Sequence, residues 1–170
     1  MSMFQIRPDN IYQLSVGGVV FRKDRHGVEF AVLERYGSHS YNDKGVDSFS
    51  LPAGKIEENE TLFETLKREV AEETGCAVEP VAFIGSDEYE LYPRPKRTGT
   101  GLEKSGNRKT IIYFLARYVN TTGEGMDGEH DKLHWFDAKE ARVKLTGDYK
   151  RQHYFIDRAV EWLETHDAAE

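Results

Sequence analysis

Cysteine is nearly missing from this chain of 170 residues. Cys76 stands alone, so no intramolecular disulfide and no cysteine-built zinc site can exist. Any metal must be held mainly by oxygen or imidazole. Long apolar runs are lacking too. No stretch approaches the roughly 18 apolar residues that a spanning helix needs, and Met1 to Pro8 holds nothing that would serve as a secretory signal. A cytoplasmic location without a membrane partner is therefore expected. Positive charge is outweighed, with 23 Lys and Arg against 30 Asp and Glu and a formal net charge of -7. That balance argues against a stable nucleic-acid partner, because such binding usually needs a broad basic face to replace phosphate counterions. Repeats, low-complexity tracts and linkers are absent, and the length suits one domain over residues 1–170.

What is present reads as interleaved strands and helices. Leu14 to Phe21 and Phe30 to Leu33 are apolar or β-branched runs separated by Asp24-Arg25-His26-Gly27, the pattern of a hairpin. Ser48 to Leu51 reads as a short strand that stops at Pro52, which cannot donate a ladder hydrogen bond. Thr61 and Glu64 have the spacing of a capping box and Gly75 suits a helix end, which predicts a helix from about Leu62 to Thr74. Strands follow over Val81 to Ile84, Thr110 to Val119 and Leu133 to Phe136, and Asp137 with Glu140 repeats the capping spacing. A last helix is expected over about Tyr149 to Thr165, with Phe155, Ile156, Ala159, Val160 and Leu163 as its apolar stripe. This order predicts an α/β fold with a mixed sheet flanked by helices.

The chemistry concentrates on the first helix. Glu69, Glu72 and Glu73 stand at i, i+3 and i+4, so at about 100° per residue they share one side of it. Leu62, Phe63, Leu66 and Val70 occupy an adjoining arc, which sets the acids beside the buried face. Crowded carboxylates at the edge of a core are costly unless a cation neutralises them, and hard oxygen ligands suit Mg2+ or Mn2+. A solvated acidic face is the competing account for Glu-x-x-Glu-Glu taken alone. Gly54 would let the preceding loop pass close to the metal, with its carbonyl as a further ligand.

The whole run from Gly54 through Glu60, Arg68, Glu69, Glu72 and Glu73 to Gly75 resembles the Nudix box. Glycine, five residues, glutamate, seven residues and Arg-Glu-aliphatic-x-Glu-Glu-x-Gly all match, and only Cys76 departs, standing where the family has an aliphatic residue. The resemblance implies a Nudix-type α/β/α sandwich and a metal-dependent hydrolase that cleaves a pyrophosphate linkage in a nucleoside diphosphate derivative. It makes Glu69, Glu72 and Glu73 metal ligands, pairs Arg68 with Glu60 as a tie between loop and helix, and leaves Glu69 and Glu129 as alternatives for the general base.

Asn107 to Ala116, with Lys109 and the pair Tyr113-Phe114, resembles the strand after the box in asymmetrical diadenosine tetraphosphate hydrolases. Glu129-His130, His134-Trp135 and Glu140-Ala141 look like later elements of the same group. This implies a dinucleoside polyphosphate substrate, with Lys109 on a distal phosphate, Tyr113 stacked on a base and Glu129 as a further metal ligand. The competing readings are a solvated lysine, a core tyrosine and ordinary loop acidity. Arg94-Pro95-Lys96-Arg97, Lys104 and Arg108 form the one basic stretch, suited to the uncleaved phosphates, and His39 is a further nucleotide-facing candidate. Ala53 is discordant, since tetraphosphate hydrolases commonly carry lysine there. ADP-ribose or another nucleoside diphosphate sugar is the alternative substrate, capped RNA stays open, and a non-catalytic Nudix-derived regulator is the reading from another class.

Overall fold

The computed structural model describes residues 12–35, 48–91, 107–123 and 132–166. Its strands are β1 (Tyr12–Asp24), β2 (Gly27–Arg35), β3 (Ser48–Ser50), β4 (Ala53–Lys55), β5 (Cys76–Leu91), β6 (Asn107–Thr121) and β7 (Lys132–Phe136). The helices are α1 (Leu62–Thr74), α2 (Ala138–Lys144) and α3 (His153–His166), the last entered through a 3-10 turn over Gly147–Gln152.

β1 and β2 form the expected hairpin, with Asp24 opposite Gly27. The sheet runs β3-β2-β1-β6-β5, with β4 added to β1 and β7 to β2. It is mixed, because β1 lies parallel to β6 from Tyr12↔Arg108 to Phe21↔Arg117 while the other pairings are antiparallel.

Alternation along β1 divides its side chains between two apolar layers. Val16 and Val20 pack with Leu66 and Val70 of α1, together with Phe114 and Ala116. Val19 and Phe21 face the other way, onto Ala141 and Leu145 of the α2 region and Phe155, Ile156 and Ala159 of α3. Helices thus cover both faces, as an α/β/α sandwich requires.

Three boundaries differ from expectation. β5 has 16 residues rather than the four from Val81 to Ile84. Register shifts at Ala77/Val78, Pro80/Ala82 and Phe83/Gly85 break its alternation, and so hide its length from a period-two reading. Pro52 and Gly54 predict a loop here, yet β4 pairs Ala53, Gly54 and Lys55 with Gly17, Val16 and Ser15. The final helix starts at His153, and the turn before it is the tighter 3-10 form.

Candidate active site

Thr61 caps α1: its hydroxyl accepts from the Glu64 amide at 3.2 Å, and the Glu64 carboxylate accepts from the Thr61 amide at 2.8 Å. Gly75 closes the helix in the left-handed conformation, φ 68°. With both ends fixed and Leu66 and Val70 buried, the three acids descend into the protein by degrees. The Glu72 side chain is 49 % exposed and that of Glu69 13 %, while Glu73 as a residue is only 6 % exposed.

β4 brings the loop glycine to these acids. A Cβ on Gly54 would fall 1.9 Å from the carboxyl carbon of Glu69, so the Glu69 carboxylate lies directly against the backbone of this strand. One residue earlier, the Ala53 amide donates to Glu73 Oε2 at 2.9 Å. Gly54, Glu69 and Glu73 are therefore assembled as the spacing implied, and β4, the strand not anticipated, assembles them. Burial pushes the Glu69 carboxyl above its usual range, against the opposing pull of Arg68.

Arg68 ties loop to helix. It grips Glu60 through Nε and through Nη2 at 2.9 Å, and Nη2 also donates to the Lys55 carbonyl at 2.9 Å. Its Nη1 donates to Glu69 at 2.7 Å and to Glu72 at 3.3 Å. The guanidinium holds the Glu60 carboxyl down at about 2 and is itself raised in turn.

Beside the acids opens a cavity of about 790 Å³ whose lining includes Glu73, Ala53, Lys109 and Tyr113. Lys109 is half-buried on β6, and burial, then Lys55, lowers its ammonium while Glu73 and Glu69 oppose the shift. Arg108 points elsewhere: it is exposed and pairs with Glu88 at 2.9 Å. For Tyr113 the structure corrects the expected role. The residue is 1 % exposed, its ring stacks on Phe155 at 4.0 Å and lies against Gly17, so neither face is free for a base. Glu129 and His39 lie outside the described residues, as do Arg94, Lys96, Arg97 and Lys104.

The far wall of the cavity was not foreseen. Asp87 and Tyr89 come from β5, and Asp148, Tyr149, Arg151 and Gln152 from the 3-10 turn. Arg151 joins the two sides by an ion pair with Asp87 and by lying 5.2 Å from the Tyr89 ring centre. These residues are some 60 positions apart in sequence and carry no shared local pattern.

A profile of the NUDIX domain matches residues 11–159. The chain belongs to the Nudix family. Among its relatives, the 8-oxo-dGDP phosphatase of Danio rerio is 32 % identical over 130 residues, covering 73 % of this chain and 32 % of that protein. An RNA pyrophosphohydrolase of Cereibacter sphaeroides is 32 % identical over 120 residues, covering 66 % of this chain and 72 % of its own. An Ap4A hydrolase structure from Caenorhabditis elegans superposes with a TM-score of 0.63 at 20 % identity, covering 90 % of this chain and 98 % of its own. The chain spans only 32 % to 44 % of the length of three curated relatives. The α/β Nudix fold, with its mixed sheet and three helices, is common ground for all of this.

The donors of this Nudix domain fit a hard divalent cation. Three carboxylates line one edge, Gly54 leaves the space that any side chain would fill, and one cation, Arg68, already bridges Glu69 and Glu72. Among the described residues no three acidic, histidine or cysteine side chains already stand in ligating positions. Their oxygens are turned instead to Arg68 and to the Ala53 amide, the partners with which an ion would compete.

Proposed function

We propose that this chain hydrolyses a pyrophosphate linkage in a nucleoside diphosphate derivative, with a dinucleoside polyphosphate as its substrate. The observation that carries the reading is the meeting of opposite charges in the cavity lining. Lys109 stands on the wall that also holds Glu73, with Glu69 close enough to influence its ionisation. An anionic chain of phosphates has there both a cation to grip and acids that suit a divalent ion.

Glu69, Glu72, Glu73 and the Gly54 carbonyl would hold Mg2+ or Mn2+, which supplies charge neutralisation on the diphosphate and activates water. Arg68 and Glu60 fix the helix against the loop, so that the carboxylates keep their places. The Ala53 amide orients Glu73. Lys109 binds the phosphates that are not cleaved. Glu69, raised by burial, is one of two groups suited to take a proton from water, and Glu129 is the other.

A second reading, a nucleoside diphosphate such as ADP-ribose or an oxidised nucleotide, has its own support. The small side chain of Ala53 borders the cavity where tetraphosphate hydrolases commonly have lysine, and one relative is named for 8-oxo-dGDP. Turnover of diadenosine tetraphosphate, ADP-ribose, 8-oxo-dGDP and 5'-triphosphorylated RNA, with magnesium and with excess chelator, separates the two. The expected result is chelator-sensitive turnover with preference for the tetraphosphate. Lys109→Ala should cost about 1.5 to 3 kcal/mol more on the tetraphosphate than on ADP-ribose, the scale of a charge-assisted hydrogen bond. Equal losses would assign Lys109 to the shared diphosphate, and preference for ADP-ribose would favour the second reading.

A further inference from the structure

A buried glutamine decides which way a tyrosine hydroxyl can point. Gln152, at the end of the 3-10 turn, is 7 % exposed. Its Oε1 accepts from the Leu51 amide at 2.8 Å, and a backbone N–H can only donate, so the oxygen end of the side-chain amide is fixed there. The NH2 end is left to face Tyr113, and it donates to the tyrosine oxygen at 3.2 Å. The Tyr113 oxygen thus receives a hydrogen bond, and its own proton must go elsewhere. Among the described residues no other acceptor is bonded to it.

The ring cannot move to find one. Phe155 stacks on it and Gly17 lies against it, so the hydroxyl is held beside Gln152, and both residues line the cavity. Leaving a buried polar proton without an acceptor is costly, which a ligand atom in the cavity would relieve.

We propose that Tyr113 is a specificity-determining hydrogen-bond donor, with Gln152 as its positioning residue, and that it selects a nucleobase presenting an acceptor atom, a ring nitrogen or a carbonyl, to the cavity floor. This rests on the reading that a nucleotide occupies the cavity. Burial raises the Tyr113 hydroxyl well above its usual range, so the group stays protonated and remains a donor at any pH at which the protein would work. The tyrosine that is enclosed against stacking is by the same enclosure aimed.

The proposal is tested by calorimetric binding, in magnesium, of the α,β-methylene analogues of ADP, GDP and UDP, with methylenediphosphonate as the probe that lacks a nucleoside. Tyr113→Phe should weaken the tightest nucleoside probe about 2- to 12-fold, the loss expected for one neutral hydrogen bond, and leave methylenediphosphonate unchanged. Gln152→Glu keeps an oxygen for the Leu51 amide and turns a second oxygen toward Tyr113, which reverses the hydroxyl. It should cost as much by itself and little more when added to Tyr113→Phe. Unchanged nucleoside affinity in folded Tyr113→Phe overturns the proposal. So do parallel losses on methylenediphosphonate, and so do additive effects of the two substitutions, which would place Gln152's influence in the Leu51 backbone. A wild type that binds methylenediphosphonate but no nucleoside probe sinks the proposal and spares the hydrolase reading, whereas one that binds none of the four sinks both.

Discussion

Gly54 shows how much a single side chain's absence can decide. The Glu69 carboxylate occupies the space where a Cβ would be, 1.9 Å from its carboxyl carbon. Gly54→Ala must therefore displace either the carboxylate or the strand. Because β4 is held to β1 along Ser15 to Gly17, the carboxylate is the part that yields. A misplacement on the order of 1 Å in such a group costs roughly 100-fold in rate. The variant should fold, with a melting temperature near wild type, and its kcat should fall by about that factor at saturating magnesium. Retained kcat in the folded variant would mean that Glu69 does its work from another position.

On the scale of elements, α1 and β4 behave as one unit because Arg68 and Glu60 clamp them. The usual carboxylate value for glutamate is 4.5, and Arg68 holds Glu60 at about 2. A carboxyl lowered by folding adds stability that is fully present above its unfolded value and disappears as pH falls through its folded one. Glu60→Gln should therefore melt below wild type at neutral pH, and the gap should close between about pH 4.5 and pH 2. Thermal melts over that range check it, and a gap that persists at pH 2 would assign the loss to something other than this ionisation. The elements also show why some parts were legible in sequence and others were not. α1 was readable to the residue because Thr61, Glu64 and Gly75 write its limits locally. Bulges displace the alternation of β5 and hide its length, and the 3-10 turn reads as the start of α3 because Tyr149 packs on the same core as Phe155 and Ile156. For the site the division is similar. Gly54, Glu60, Arg68, Glu69 and Glu73 lie within one continuous motif and meet as their spacing implied, whereas Asp87, Tyr89, Arg151 and Gln152 meet only through tertiary packing. For Tyr113 a sequence shows an aromatic ring but not the Phe155 ring that covers its face.

For the molecule as a whole, an ion must take the acids from Arg68 and the Ala53 amide and draw them together, and its binding to the folded chain should appear as added stability. A ligand at about 100 times its Kd stabilises by about 2.7 kcal/mol. At roughly 2 to 4 °C per kcal/mol for a chain of this size, magnesium or manganese should raise the melting temperature by roughly 5 to 10 °C, reversibly with chelator. Glu73→Gln should shrink that shift. An unchanged melting temperature across millimolar magnesium would argue against an ion at Glu69, Glu72 and Glu73, whatever activity is found. No described helix is long and apolar enough to cross a membrane.

The parallel pairing of β1 with β6 has a consequence for how the protein is made. Leu14 and Thr110 are neighbours in the sheet and 96 residues apart in the chain, so this contact closes a very long loop. Such non-local pairings pay their entropy before they return any energy, and they slow folding. On a ribosome that releases the N-terminal part first, β1, β4 and the acidic helix emerge well before Lys109. During that interval the carboxylates have Arg68 of their own helix but not Lys109. Supplying magnesium during refolding should therefore speed the step that commits the chain, by neutralising acids that Lys109 has yet to join.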